Sequence, residues 1–208
     1  MHRGDAPIVA TQRRAIAVPG AAGNVRLIGG QWKRTPIAVP TVPGLRPTPD
    51  RVRETLFNWL AHLKPDFGAM RGLDLFAGTG ALGFELASRG ALRVVLVERE
   101  PRLVAALRAL KEKLRADNID VRGGDAFSVA ASLESGAFDL VMLDPPYASG
   151  LLWTAIDRCT RLLTPAGLVY AESATSITPQ DALEHGLVRV RNSQAGRVHF
   201  CLLARAAS

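Results

Sequence analysis

Leu73-Asp-Leu-Phe-Ala-Gly78-Thr-Gly80-Ala-Leu-Gly83 joins a short apolar run, a glycine-rich turn and the start of a helical pattern without a break. Residues 73–76 read as a strand and 81–88 as a helix. The turn between them matches G-x-G-x-x-G, in which glycines let the backbone approach a ligand and the following helix. The same alternation continues downstream. Strand candidates at 94–97, 119–121, 140–143 and 168–170 are separated by helix candidates at about 102–114, 126–133 and 151–163. Apolar runs without strict alternation suit strands covered on both faces. Strand–helix alternation at this spacing implies right-handed crossovers and a doubly wound, mostly parallel α/β sheet. The last apolar runs, 187–191 and 198–203, flank the turn-rich Asn192-Ser-Gln-Ala-Gly196. They predict an antiparallel hairpin that completes a seven-stranded sheet.

A different region lies upstream. Residues 25–28 and 37–39 flank Gly29-Gly-Gln-Trp-Lys-Arg-Thr-Pro36 and read as a hairpin with a basic loop. A Pro/Gly-rich linker, 40–47, follows. Thr48 then reads as a helix cap, with Pro49 in the first turn and Asp50 near the positive helix end. Val52, Leu56, Trp59, Leu60 and Leu63 fall on one face of that helix, and Arg51, Glu54 and Asn58 fall elsewhere. The expected organisation is a disordered basic tail over 1–24, a hairpin-and-helix extension over 25–64, and a nucleotide-binding catalytic domain over 65–208. An Arg-containing, acid-poor leader also fits an organellar transit peptide.

The chain has 208 residues, with 26 Lys and Arg against 19 Asp and Glu, a formal net charge of +7. That excess favours polyanionic partners, because neutralising phosphates releases counterions. No run of apolar residues is long enough to suggest a membrane span. Cys159 and Cys201 sit in apolar surroundings without paired spacing and read as core residues. Four scattered histidines offer no metal set.

Glu98 ends the next strand, twenty residues beyond Gly78, where an acid would take ribose hydroxyls. This pattern alone does not separate a nicotinamide dinucleotide from S-adenosylmethionine, since both present an adenosine. Asp74 tilts the choice: a carboxylate before the glycine loop repels a pyrophosphate and attracts the ammonium of a methionine moiety. The loop from Phe76 and Ala77 to Gly80 is expected to pass close to the cofactor, with Arg99 beside Glu98. Asp125, followed by Ala126 and Phe127, lands where an adenine amino group would be met, or else caps a helix.

Asp144-Pro145-Pro146-Tyr147 follows the fourth strand. Prolines cannot donate to a sheet ladder, so the strand stops here and the turn is stiff. The segment offers carbonyl oxygens and the Asp144 carboxylate to a donor such as an exocyclic amine. Holding both amine hydrogens would aim its lone pair at a methyl donor, which is catalysis by orientation and electrostatics. Tyr147 would stack the unstacked base.

Together these residues resemble those of class I methyltransferases acting on nucleobase amines. Arg26-Leu-Ile-Gly-Gly-Gln-Trp-Lys33, Pro43-Gly-Leu-Arg-Pro-Thr-Pro-Asp-Arg-Val-Arg-Glu-Thr-Leu-Phe-Asn-Trp-Leu60 and Tyr170-Ala-Glu-Ser173 narrow the resemblance to the bacterial RsmD-type enzymes, the 16S rRNA guanine(966)-N(2)-methyltransferases. It covers about Arg26 to Ala204. It implies a Rossmann-like class I fold, S-adenosyl-L-methionine as cofactor, and a guanine N2 in a partly assembled 30S particle as substrate. It also implies a cytoplasmic, monomeric enzyme with no membrane partner. By the same resemblance Asp144, Pro145 and Tyr147 form the transfer site. Asp74, Gly78, Gly80, Glu98, Asp125 and Ala126 hold the cofactor. Arg26, Lys33, Arg34, Arg46, Arg51 and Arg53 face the RNA, although Arg51 and Arg53 have the alternative of pairing with Glu54 or with the catalytic domain. Other readings remain at this point: an adenine or cytosine amine in DNA, a nicotinamide-dependent oxidoreductase, and a non-catalytic RNA-binding protein.

Overall fold

A computed structural model describes residues 25–45, 47–146 and 149–206. The 1–24 tail, Arg46 and Tyr147 lie outside the described residues. The chain opens with β1 (Val25–Arg26) and β2 (Pro36–Ile37), a short antiparallel pair. Its turn is fastened to the rest of the molecule: the backbone N–H groups of Gln31 and Trp32 donate to the Ser88 carbonyl and hydroxyl at 2.8 and 2.9 Å. Helix α1 (Asp50–Leu63) follows. Its N-cap is Pro49, which offers no side-chain acceptor, and Thr48 does not cap it. The expected Thr48 cap is therefore corrected. Pro49 has a fixed φ suited to helix entry.

The alternating core then runs β3 (Arg71–Asp74), α2 (Ala81–Ser88), β4 (Arg93–Glu98), α3 (Pro101–Leu114), β5 (Ile119–Gly123), α4 (Ala126–Ala131), β6 (Phe138–Leu143), α5 (Leu152–Cys159), β7 (Leu163–Ser173), α6 (Pro179–Glu184), β8 (Leu187–Ala195) and β9 (Val198–Arg205). α5 is shorter than expected, because residues 160–162 tighten into a 3-10 turn. α6 is an element that apolar periodicity did not predict. It is six residues long, held by Thr178 and Asp181 in a reciprocal capping box with Pro179 in its first turn.

The seven strands lie in the order β5-β4-β3-β6-β7-β9-β8, parallel from β5 to β7 and antiparallel across β7, β9 and β8. Two apolar clusters cover its faces. One joins Leu96, Leu140, Met142 and Tyr170 to Phe84 of α2, Phe57 and Leu60 of α1, and Leu27 and Ile37 of the hairpin. The other packs Leu73, Val95, Val141 and Val169 against Ala130, Ile156 and Ala182. Residues 25–64 thus share one core with the sheet. Cys159 and Cys201 are buried free thiols in the second cluster, and burial pushes both up to about 12. The outer strand β8 carries a register shift between Arg189 and Arg191, a bulged and charged edge that discourages pairing with another chain. Among the described residues no helix is long and apolar enough to cross a membrane.

Candidate active site

Connections from β3 run outward through β4 to β5, and the chain then returns to place β6 on the other side of β3. Carboxyl ends of strands at such a reversal leave a crevice, the usual ligand position in open α/β sheets. Asp74 ends β3 and stands level with Leu96 and Met142 of its neighbours. Glu98 and Asp144 therefore come two residues further along β4 and β6. Leu143 pairs with Ala171, which sets Asp144 level with Glu172 of β7. Side chains alternate across a strand. By that alternation all four acids share the face packed by α1 and α2.

Two of these four carboxylates are buried and two are partly exposed. Asp74 is 1 % exposed and Glu172 2 %. Burial pushes the Asp74 carboxyl up to about 7. The Gly83 N–H, donating at 3.1 Å, opposes that rise, and Glu98 and Glu172 add to it. Asp144 is partly exposed as a residue. Its carboxyl is nonetheless held well above the ordinary range, first by desolvation and then by Glu172 and Asp74, while the Thr48 hydroxyl donates to it and pulls the other way. Glu172 accepts from the Tyr170 hydroxyl at 2.8 Å. Pro145 is buried and Pro146 exposed. Thr48 and Glu172 were not among the expected site residues. A signal for Glu172 existed in the run 168–173, where an acid interrupts a strand otherwise apolar on that face.

The glycine loop is held from both sides. Glu98 accepts from the Gly78 N–H through one oxygen and from the Arg99 and Glu100 N–H groups through the other, each at 2.8 Å. It thus braces the loop it was expected to face across a ribose. Gly80 is the left-handed N-cap of α2 (φ 78°), where a Cβ would meet Leu107 and Phe84. A Cβ on Gly83 would lie 2.1 Å from Leu96, so that glycine lets helix and sheet pack closely. Ala77 is buried beside the loop, and Phe76 meets Phe127 edge-on with centroids 6.3 Å apart. Asp125 caps α4, accepting from the Ser128 N–H and hydroxyl at 2.9 and 3.0 Å, which lowers its pKa. Ala126 is the first residue of that helix, and Arg99 is exposed.

The basic residues divide. Arg26, Lys33, Arg34 and Arg51 are exposed. Arg53 is fully buried and faces no solvent. It pairs with Asp50 through one guanidinium nitrogen and lies 3.6 Å from Glu85 of α2 through another. Its assignment to an RNA-facing surface is corrected: it points from α1 into the interior and serves as a tie between α1 and α2.

A cluster of buried acids calls for a cationic ligand, because uncompensated like charges raise one another's pKa. S-adenosylmethionine, with its sulfonium and ammonium, fits that donor set; a dinucleotide pyrophosphate does not. The sign of the Asp74 effect can be tested on the protein alone. Its folded pKa lies above the unfolded 3.8. The stability it contributes is fully present below 3.8 and is lost as pH rises through about 7. Asp74→Asn keeps an acceptor for Gly83 and carries no charge. It is expected to stabilise the cofactor-free protein at pH 8 by up to about 4 kcal/mol and to flatten the pH dependence of melting between pH 5 and 8. A variant that melts no later than wild type at pH 8 would show that the carboxylate is not strained.

The fold and this acidic crevice define an α/β Rossmann-like class I methyltransferase. More narrowly, the family model described as Conserved hypothetical protein 95 matches residues 25–204, and the chain belongs to that family. It is 38% identical over 195 residues to ribosomal RNA small subunit methyltransferase D of Escherichia coli (strain K12), across 89% of this chain and 92% of that one. To the protein of the same name in Haemophilus influenzae it is 35% identical over 176 residues, across 81% and 90%. Among solved structures, Escherichia coli yhhF, described there as a methyltransferase, superposes with a TM-score of 0.75 at 38% identity, across 89% of this chain and all of that one. A hypothetical protein of Thermus thermophilus does so at 0.67 and 28%, across 86% and 99%. The resemblance to RsmD-type enzymes is borne out.

Proposed function

We propose that this protein transfers the methyl group of S-adenosyl-L-methionine to the exocyclic N2 amine of a guanine in 16S rRNA, within a partly assembled 30S subunit in the cytoplasm. One observation carries the reading: Asp144, a water-poor carboxylate at the carboxyl end of β6, stands beside the glycine loop and two further buried acids, followed by two prolines with no N–H to offer. The names of the relatives supply the RNA class.

The cofactor, when bound, supplies an electrophilic methyl on a positively charged sulfur. Asp74 would neutralise its ammonium, the backbone at Gly78 and Gly80 would approach it, and Glu98, Asp125 and Ala126 would border its adenosine. Asp144 and the Pro145 carbonyl accept the two amine hydrogens, which orients the nitrogen lone pair. Formation of the nitrogen–carbon bond would be matched by loss of the sulfur–carbon bond, sulfur leaving as a neutral thioether, and one N–H proton of the positively charged nitrogen would then pass to Asp144. A carboxyl with a raised pKa suits that task. Tyr147 stacks the base, and Pro145 and Pro146 keep the turn from relaxing.

The test is transfer of labelled methyl to 30S particles from cells lacking this protein, followed by mass mapping of the rRNA. Methyl on a single guanine N2 is expected; label on adenine, or none, would overturn the assignment. The exposed cations position the RNA through phosphates and read no sequence. Replacing Arg26 and Arg51 with glutamate should weaken binding at every sequence and reduce the slope of log affinity against log salt by about one per lost contact. Filter binding over a salt series checks this, and an unchanged slope would remove both residues from the interface.

A further inference from the structure

We infer that the tip of the β8–β9 hairpin, with Arg197 at its apex, is a second RNA-binding element, which holds a phosphate beside the target nucleotide on the Glu172 side of the crevice. The inference rests on the rRNA-methyltransferase reading above. It adds a contact outside the N-terminal extension, where all the RNA-facing cations named so far lie.

Strand register sets the position of the tip. Asp144 stands level with Glu172, and Glu172 pairs with Phe200 of β9. Because β9 runs antiparallel to β7, its first residue, Val198, lies about 7 Å past the level of Asp144 and about 10 Å to one side. Ala195 pairs with Val198, which leaves Gly196 and Arg197 as a two-residue turn. Gly196 has a φ of 61° and Arg197 keeps a negative φ. A two-residue loop with glycine first has a twist that matches its flanking strands. The Gln194 side-chain amide donates to the Gly196 carbonyl at 2.9 Å and braces the turn. Below it, Trp59 of α1 packs on Phe200 with ring centroids 5.3 Å apart, so the hairpin is fastened to the helix that carries Arg51. The apex is therefore a rigid projection over one side of the crevice.

Its charge is uncompensated. From His185 to Ser208 the chain has no Asp or Glu. Arg189, Arg191 and Arg205 donate to the carbonyls of Ile177, Val190 and Thr160. Arg197 is exposed and forms no ion pair among the described residues. The crevice itself is acidic, with Asp74, Glu98, Asp144 and Glu172 at the strand ends, and it repels the phosphates of an entering RNA. A cation held at its lip offsets that repulsion where the backbone beside the target nucleotide must pass. A guanidinium suits a phosphate because it donates two parallel hydrogen bonds to it.

The experiment begins with binding to 30S particles from cells lacking this protein, measured without turnover. Arg197→Glu should weaken binding about tenfold at low salt and reduce the slope of log affinity against log salt by about one. Arg197→Ala should move both quantities the same way by a smaller amount. Arg108→Glu, the same charge change at an exposed position on α3, should stay within about twofold of wild type. In transfer assays the Arg197 variants should raise KM for the particles. Their kcat and their dissociation constant for S-adenosylmethionine should stay near wild type, since a phosphate contact is made equally before and during the reaction. A photocrosslinking side chain at position 197 should label rRNA nucleotides adjoining the methylated guanine. An unchanged salt slope in both Arg197 variants would overturn the inference. So would equal losses in Arg108→Glu, because net charge alone would then account for the effect, or a crosslink to a ribosomal protein. Particle binding that depends on Arg197 without any methyl transfer by the wild-type protein would overturn the methyltransferase reading and leave the hairpin contact standing, so the two failures are told apart.

Discussion

Asp144→Ala is expected to bind S-adenosylmethionine within a few-fold of wild type and to transfer methyl about 10²–10³ times more slowly. On the proposed mechanism the separation arises because the carboxylate, past the end of β6, would meet the acceptor amine, while the donor would be held mainly from β3, β4 and the glycine loop. Losing it removes a hydrogen-bond acceptor and the nearest proton acceptor together. Stability should not fall. Asp144 is crowded by Glu172 and Asp74 and raised by desolvation, so its removal relieves a repulsive cluster. Thermal melting of the cofactor-free variant should match or exceed wild type. Asp144→Asn retains one acceptor oxygen but turns an amide donor toward the amine, and it should recover only part of the loss. Calorimetry with the cofactor and single-turnover transfer check the two halves. Wild-type turnover in Asp144→Ala would show that the carboxylate lies outside the reaction.

The second large effect is structural. Glu85 is fully buried in α2 and accepts from the Ile28 N–H at 2.8 Å and from Arg89 at 2.9 Å, with Arg53 at 3.6 Å. Among the described residues the Arg53 Nε and one terminal nitrogen have no hydrogen-bond partner, so this cation depends on nearby charge for compensation. Removing Glu85 leaves the buried Arg53 with Asp50 alone among the described residues and takes the acceptor from the Ile28 N–H, so Glu85→Ala should cost roughly 3–5 kcal/mol. Replacing both partners by apolar residues of similar size, Arg53→Met with Glu85→Leu, should cost much less than the sum of the single changes. Denaturant titrations of the four proteins in that cycle measure the coupling. Additive losses would mean that Arg53 and Glu85 do not compensate each other.

Much of this molecule was legible from its residues. The glycine turn after residues 73–76 fixed the start of the sheet, and α2 occupies the residues expected of it. The final antiparallel hairpin followed from the turn-rich 192–196 segment. What escaped was decided by long-range packing. Arg53 belongs to a basic stretch that reads as a surface. Its burial depends on Glu85, thirty-two residues away, an acid whose helix is otherwise nearly apolar and which no periodic pattern marks as a partner. Thr48 matches every local preference for a cap, but the chain enters the helix one residue later and Pro49 holds the cap position. Asp125 was weighed as adenine contact or helix cap, and the cap is the role seen. α6 had a readable signature in Thr178-Pro179-Gln180-Asp181, but six residues give too little periodicity to raise it above a loop.

The strand order has a bearing on how the chain is made. β9, the last strand, lies between β7 and β8, and one face of its ladder is the whole pairing partner of β7 on that side. A ribosome that has released everything up to residue 197 has delivered six strands of the sheet and left the long apolar flank of β7 bare. Parallel pairing between distant segments is already slow, and here the step that seals the flank waits for residues 198–205. Until those emerge, the nascent protein exposes a sticky β edge to its neighbours. A stop codon inside that final strand should therefore yield aggregates or degradation products instead of a slightly shortened enzyme.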